Sequence, residues 1–203
     1  MPLIRKNAGQ TPKAPVAQPP SSDLLTSGTD DERWSAARAL ADDPGGGDAL
    51  SAALPQEPAA RVREAILTGL IRHGGDAGVR AVVPQIRSDD AKLRTEALDA
   101  LRAMPGVLEP YLRELLHDSD PDVRLLTCDL ARVLPDADAS RMLSELLDRE
   151  TEANVCGAAI DALAEVGGPD ALPALTRCAA RFPDEPFLGF AIRAAAQAIG
   201  AAD

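Results

Sequence analysis

Apolar residues recur along this chain at helical spacing, and the recurrence itself repeats. Segments beginning at Arg33, Arg63, Arg94, Arg124, Cys156 and Gly189 can be placed in register, with these anchors 30 to 33 residues apart. Three positions after each anchor stand Ala36, Ile66, Ala97, Thr127, Ala159 and Ile192. Four after are Ala37, Leu67, Leu98, Cys128, Ile160 and Arg193, and seven after are Leu40, Leu70, Leu101, Ala131, Leu163 and Ala196. One position before the anchor come Glu32, Val62, Leu93, Val123, Val155 and Leu188. These offsets share one helix face, so each copy predicts an amphipathic helix with a single buried stripe. Eleven after the anchor lie Pro44, Gly74, Pro105, Pro135, Gly167 and Gly200, residue types that end helices.

A looser helical pattern precedes each stripe, over roughly 48–54, 78–86, 108–117, 139–149 and 171–181. The repeating unit is therefore a helical hairpin. Asp90 and Asp120, four residues before their anchors, are placed to cap the second helix of their hairpins, and Glu152 and Glu185 hold the same place with a poorer capping side chain. Pro58, Pro121 and Pro186 fall near helix starts, where a missing N–H costs little, and Pro84, Pro110 and Pro173 fall in the first turns of first helices or at kinks. Period-2 runs of β-branched and aromatic residues are missing. The expectation is an all-α array of about six hairpins over 23–203, preceded by a Pro-rich, disordered tail at 1–22. The tail's Pro12–Pro15 spacing is a candidate polyproline II ligand.

Charge narrows the partner classes. The chain carries a net −11, and Arg5, Lys6 and Lys13 give the tail +3, leaving −14 on the repeats. A body that acidic repels phosphate backbones and anionic head groups, so neither nucleic acid nor a membrane surface is expected as a partner. No apolar run approaches the ~20 residues of a membrane span, and 1–20 lacks the apolar core of a secretory signal. A cytoplasmic protein is expected, and the composition suggests a high-GC bacterial source.

Within the repeats, the stretches AspProAspValArg (120–124), SerAspAspAlaLysLeuArg (88–94), AlaLeuAlaGluValGly (162–167) and AlaLeuProAlaLeu (171–175) resemble the HEAT repeat family, especially its short bacterial members. The resemblance implies a right-handed α-α superhelix with atypical first and last hairpins. It also implies a structural Asp–Arg ladder, carried here onto Asp90, Arg94, Asp120 and Arg124, with Arg33 and Arg63 as further members. Cys156 and Gly189 depart from that pattern.

Catalytic chemistry has little to draw on. The two histidines are His73, in a column that elsewhere holds Met104, Leu134, Val166 and Ile199, and His117, at a helix end. Each is followed by a residue other than Glu, so the His–Glu pairs of iron-binding HEAT-like enzymes are missing. Gly45–Gly47 have no flanking strand, Lys or Ser/Thr to make a phosphate loop, and predict a flexible turn. The odd cysteine count, with no CxxC, argues against a disulfide framework or a zinc site. No enzyme activity, metal or cofactor is expected.

What remains is a surface. Second helices of such arrays line the concave face. There Asp99, Asp129 and Asp161 would stack as an acidic row with Glu96 and Glu165 nearby, flanked by Trp34, Leu125 and Phe190. The expected function is a scaffold or adaptor binding another protein's basic or amphipathic segment in that row. Two alternatives stand beside it: an accessory enzyme subunit resembling the phycobilin lyases, and an acidic row merely neutralised by Arg102 and Arg132.

Overall fold

The structure is a computed structural model that describes residues 22–201. Apart from Ser22, the Pro-rich segment 1–22 and its Pro12–Pro15 spacing lie outside the described residues. Twelve α-helices follow one another: α1 (Leu24–Ser27), α2 (Asp30–Asp42), α3 (Gly47–Ala53), α4 (Ala60–His73), α5 (Gly75–Val82) and α6 (Ala91–Arg102). The second half comprises α7 (Glu109–Leu115), α8 (Pro121–Leu130), α9 (Asp136–Arg149), α10 (Ala153–Val166), α11 (Leu172–Arg181) and α12 (Pro186–Ala201). No strand occurs among the described residues. Successive even helices pack on one another from α2 to α12. Among the odd helices, α1, α3 and α5 pack in turn, as do α9 and α11. Each odd helix also packs on the even helix after it, so six hairpins form a two-layered helical solenoid.

The repeated stripe is the core. Ile66, Leu70, Ala97, Leu101, Ala159, Ile160 and Leu163 are at most 1% exposed. Burying each large aliphatic side chain stabilises the fold by about 1.5–3 kcal/mol. One hairpin cannot bury its own apolar edge, and the next hairpin completes it.

Two stripe positions and one terminator depart from the pattern. Glu32 is exposed and belongs to a capping box: the Thr29 amide donates to its carboxylate at 2.8 Å, and Thr29 Oγ1 accepts from the Glu32 amide. That bond from the Thr29 amide holds the Glu32 carboxyl below the usual carboxylate range. Arg193 is exposed on α12, in the last hairpin described. Gly200 does not stop α12, which runs on to Ala201. The other five terminators do bound their helices, most sharply Gly74, whose φ of 63° favours glycine and ends α4.

Of the first helices, α5 and α7 are shorter than their apolar patterns suggested, whereas α9 is longer and begins at Asp136. α5 gives way at Val83 to a 3-10 turn running to Arg87, with Pro84 at its start, because proline supplies no N–H and clashes with the preceding turn. Pro110 and Pro173 sit in the first turns of α7 and α11. Asp43–Gly46 form a tight turn, closed by the Gly46 amide on the Asp43 carbonyl at 2.8 Å, and Gly47 begins α3.

Buried ion pairs tie adjacent hairpins together. Arg33 donates through Nε and Nη2 to Glu57 at 2.8 and 3.0 Å. Arg63 reaches Asp90 at 3.2 Å, and Arg124 donates to Glu150 at 2.7 and 2.9 Å. Each of these arginines also donates to a carbonyl in its own inter-helix loop: Gly28, Pro58 and Asp118 respectively, all at 2.8 Å. Each rung therefore locks two loops.

The ladder differs from the one the family resemblance implied. Asp90 and Asp120 cap α6 and α8. Arg94 donates to the Ser88 carbonyl but makes no ion pair among the described residues, so it forms no rung with Asp120. The Asp120 side chain is short and turned to the Asp122 amide, and a cleft of about 330 Å³ lies between α6 and α8. Glu57 and Glu150 complete the flanking rungs instead. Glu152, read as a cap, makes no side-chain capping bond.

Candidate functional site

The outward face of the even-numbered helices carries most of the predicted site residues, and it is not uniform. Five positions after the anchor, α6, α8 and α10 present Asp99, Asp129 and Asp161. Eight positions after it, α6 presents Arg102 and the 3-10 turn that continues α8, Ala131–Val133, presents Arg132. Five and eight share a helix face, and the arginine side chain also spans to the neighbouring helix.

The result is a continuous chain of charge pairs. Arg102 bonds Asp99 on its own helix at 2.6 Å and Asp129 on the next. Arg132 meets Asp129 at 3.2 Å, Asp161 at 2.7 Å and Glu165. The bond to Asp129 raises the Arg102 guanidinium above its ordinary range. Partial burial works against the charge on Arg132, yet its bonds to Glu165 and Asp161 raise it as well. Four carboxylates thus share two guanidiniums. The acidic surplus collects toward α10, where the Asp161 and Glu165 side chains are 77% and 65% exposed.

Two predicted members stand elsewhere. Glu96, two positions after its anchor, is turned sideways to α4. It pairs with Lys92 at 3.3 Å and lies 4.0 Å from Arg63, with its Oε2 buried and unbonded. Leu125 is half-buried at the cleft between α6 and α8, beside Leu126 and Arg94. Trp34, Leu125 and Phe190 are therefore three separate spots, in the first, fourth and sixth hairpins.

Phe190 is 69% exposed, the most of any large apolar side chain described, and Phe187 one turn earlier is 53% exposed. The ring tip of Phe187 lies against Gly157 of α10, where a Cβ would come within 2.5 Å. A side chain at position 157 would push the ring outward. One turn beyond Gly157 stands Asp161, so the aromatic pair adjoins the acidic surplus.

The opposite end of the face has another character. Between α2 and α4 opens a groove of about 680 Å³ whose lining includes Trp34, Arg38, Arg61, Thr68 and Arg72. The guanidiniums of Arg61 and Arg38 lie over the Trp34 ring, 4.2 and 4.8 Å from its centroid. Arg61 pairs with exposed Asp31 at 2.9 Å, and Arg72 pairs with Asp42. Arg38 makes no ion pair among the described residues.

Neither histidine is arranged for chemistry. His73 Nε2 bonds the Leu40 carbonyl at 2.9 Å, tying the end of α4 to that of α2, and His117 Nδ1 bonds the Arg113 carbonyl at 2.8 Å. All three cysteines are buried and free, and burial pushes the Cys128 thiol up to about 12. No helix among the described residues is long and apolar enough to cross a membrane.

Phe187, the Trp34 groove and the rung acids Glu57 and Glu150 were missed from sequence. Phe187 lies outside the aligned columns. The groove has a faint signal, Asp42 and Arg72 nine positions after successive anchors. The rung acids sit six residues before their anchors, whereas Asp90 sits four before, so no single column holds them.

Comparison with known proteins agrees with this architecture. The family model described as HEAT repeats matches residues 108–200. No curated protein matches the sequence. Among solved structures, an engineered protein is 22% identical, with 89% of this chain and 95% of that one covered and a TM-score of 0.45. A designed armadillo repeat protein in complex with the peptide (KR)4 is 18% identical, covering 88% and 97%, with a TM-score of 0.46. The S. pombe condensin Cnd3–Cnd2 subcomplex is 17% identical, covering 88% of this chain and 26% of that one, with a TM-score of 0.41. The matched stretch is nearly the whole second half of the solenoid, and the hairpins before it repeat the same two-helix unit.

Proposed function

We propose that this chain is a non-catalytic interaction module, a scaffold or adaptor, which docks a basic or amphipathic segment of a partner protein on the face of its even-numbered helices. Helical repeat arrays present extended surfaces of this kind. The observation that carries the reading is the pairing of an exposed aromatic couple, Phe187 and Phe190, with the incompletely neutralised acids Asp161 and Glu165. An apolar anchor with a charged rim is the arrangement of a binding hot spot, the anchor supplying affinity and the rim supplying on-rate and orientation. The internally bridged part of the row, Asp99 and Asp129, contributes less, because Arg102 already occupies both carboxylates.

The test is a fluorescence anisotropy titration of the full chain with a labelled amphipathic Lys/Leu peptide. Changing Asp161→Lys, Glu165→Lys and Phe190→Ala together is expected to weaken binding by about tenfold or more, equivalent to about 1.4 kcal/mol, with circular dichroism unchanged. Equal affinity of variant and parent overturns the reading.

A further inference from the structure

We propose that the groove between α2 and α4 is a second docking site, of opposite polarity, that takes an acidic segment of a protein partner. On a body carrying −14, this groove gathers three arginines, Arg38, Arg61 and Arg72, against two acids in its lining, Asp42 and Glu64. Arg38 has no carboxylate of its own among the described residues. The partners of the other two, Asp31 and Asp42, have side chains 84% and 66% exposed. Pairs that exposed are worth about 0–1 kcal/mol, so an incoming carboxylate can displace them at small cost. Guanidiniums bind carboxylates through two parallel hydrogen bonds, which gives such a segment direction as well as affinity.

Trp34 decides between macromolecular classes. Single-stranded nucleic acid is held by stacking bases on open aromatic faces. Here guanidiniums already lie over the indole, and the surrounding acidic body repels phosphate backbones. What the groove offers is a positively charged rim over a shallow floor that includes Ala41 and Ala65, fitted to a helix or extended strand with carboxylates on one side and small apolar residues beneath. The site stands apart from the Phe187–Phe190 end and does not depend on it.

Trp34 is the only tryptophan of the chain and therefore reports on the groove directly. The full chain is titrated at low salt with an amphipathic Glu/Leu peptide while the indole emission is followed. A saturable emission change is expected that weakens with added salt. Arg38→Glu with Arg72→Glu is expected to weaken binding by about tenfold or more at unchanged helicity. Asp161→Lys with Glu165→Lys, which impairs the other end, is expected to leave it unaltered. Should the double reversal perturb folding, Arg38→Gln serves in its place, since Arg38 neutralises no carboxylate, and a loss of severalfold is expected. No emission change, an unweakened Arg38 variant, or stronger binding of oligothymidylate than of the acidic peptide each overturns the proposal.

Discussion

The first two hairpins and the third to fifth present the same helix face to the same surroundings, yet they treat charge in opposite ways. In the third and fourth hairpins an Asp five positions after the anchor is followed by an Arg three later, so each guanidinium bridges two helices and the row is largely consumed internally. In the first two, the equivalent of that Arg is Ala41 or Ile71, and the equivalent of that Asp is Arg38 or Thr68. No pair at those positions bridges, and the cross-helix pairs there are Arg61–Asp31 and Arg72–Asp42 at the groove's margins. The arginines gather round Trp34, and Arg38 makes no ion pair among the described residues. Surface charge on such an array is thus governed less by its total than by whether opposite signs recur at a spacing that lets neighbours meet.

That contrast can be broken most forcefully from beneath. Glu150 is 5% exposed, bonded to Arg124 and to the amides of Thr151 and Glu152. Glu150→Ala is expected to destabilise the chain by about 2–3 kcal/mol in chemical denaturation, because Arg124 loses its partner and two amides lose their acceptor. Burial alone would raise the Glu150 carboxyl, but Arg124 and those amides hold it below its ordinary 4.5. The contribution is therefore complete above the ordinary carboxylate range and is lost as pH falls below it. An acid titration of the parent is expected to be steeper than that of Glu150→Ala, and equal slopes would remove Glu150 from the account.

A smaller effect is expected within the bridged row. A double-mutant cycle on Arg102→Ala and Asp129→Ala is expected to give a coupling of about 0.5–1 kcal/mol that shrinks in high salt. Zero coupling would mean that the row is free for a partner after all. Smallest is Arg38→Ala, expected to cost about 0.5 kcal/mol of stability through the lost contact with the indole while visibly altering Trp34 emission. An unaltered spectrum would deny that Arg38 lies over the ring.

Much of the fold was legible because packing is periodic. The columns through Ile66, Ala97 and Ala159 had to be apolar, and Gly74 or Pro135 had to stop a helix. The exceptions lie in the first and last hairpins described: Glu32 serves α2 in a capping box, Arg193 is exposed on α12, and α12 runs past Gly200. The site was less legible. Helical spacing placed Asp99, Asp129 and Asp161 on one face, but whether Arg102 and Arg132 reach across depends on how neighbouring helices are offset. The same offset turned Glu96 toward Arg63 and left Arg94 and Asp120 without a rung between them.

The missing rung at Arg94 has a mechanical meaning. α6 and α8 touch sparsely, whereas α2 with α4 and α10 with α12 pack along their length. Around that seam, Arg87–Asp118 and Arg102–Asp129 fasten the more exposed margins. A spring with one soft coil bends at that coil. The span between Trp34 and Phe190, one in the first hairpin and the other in the last, is accordingly set by a single compliant joint, and a long ligand gripped at both extremities would be felt there first.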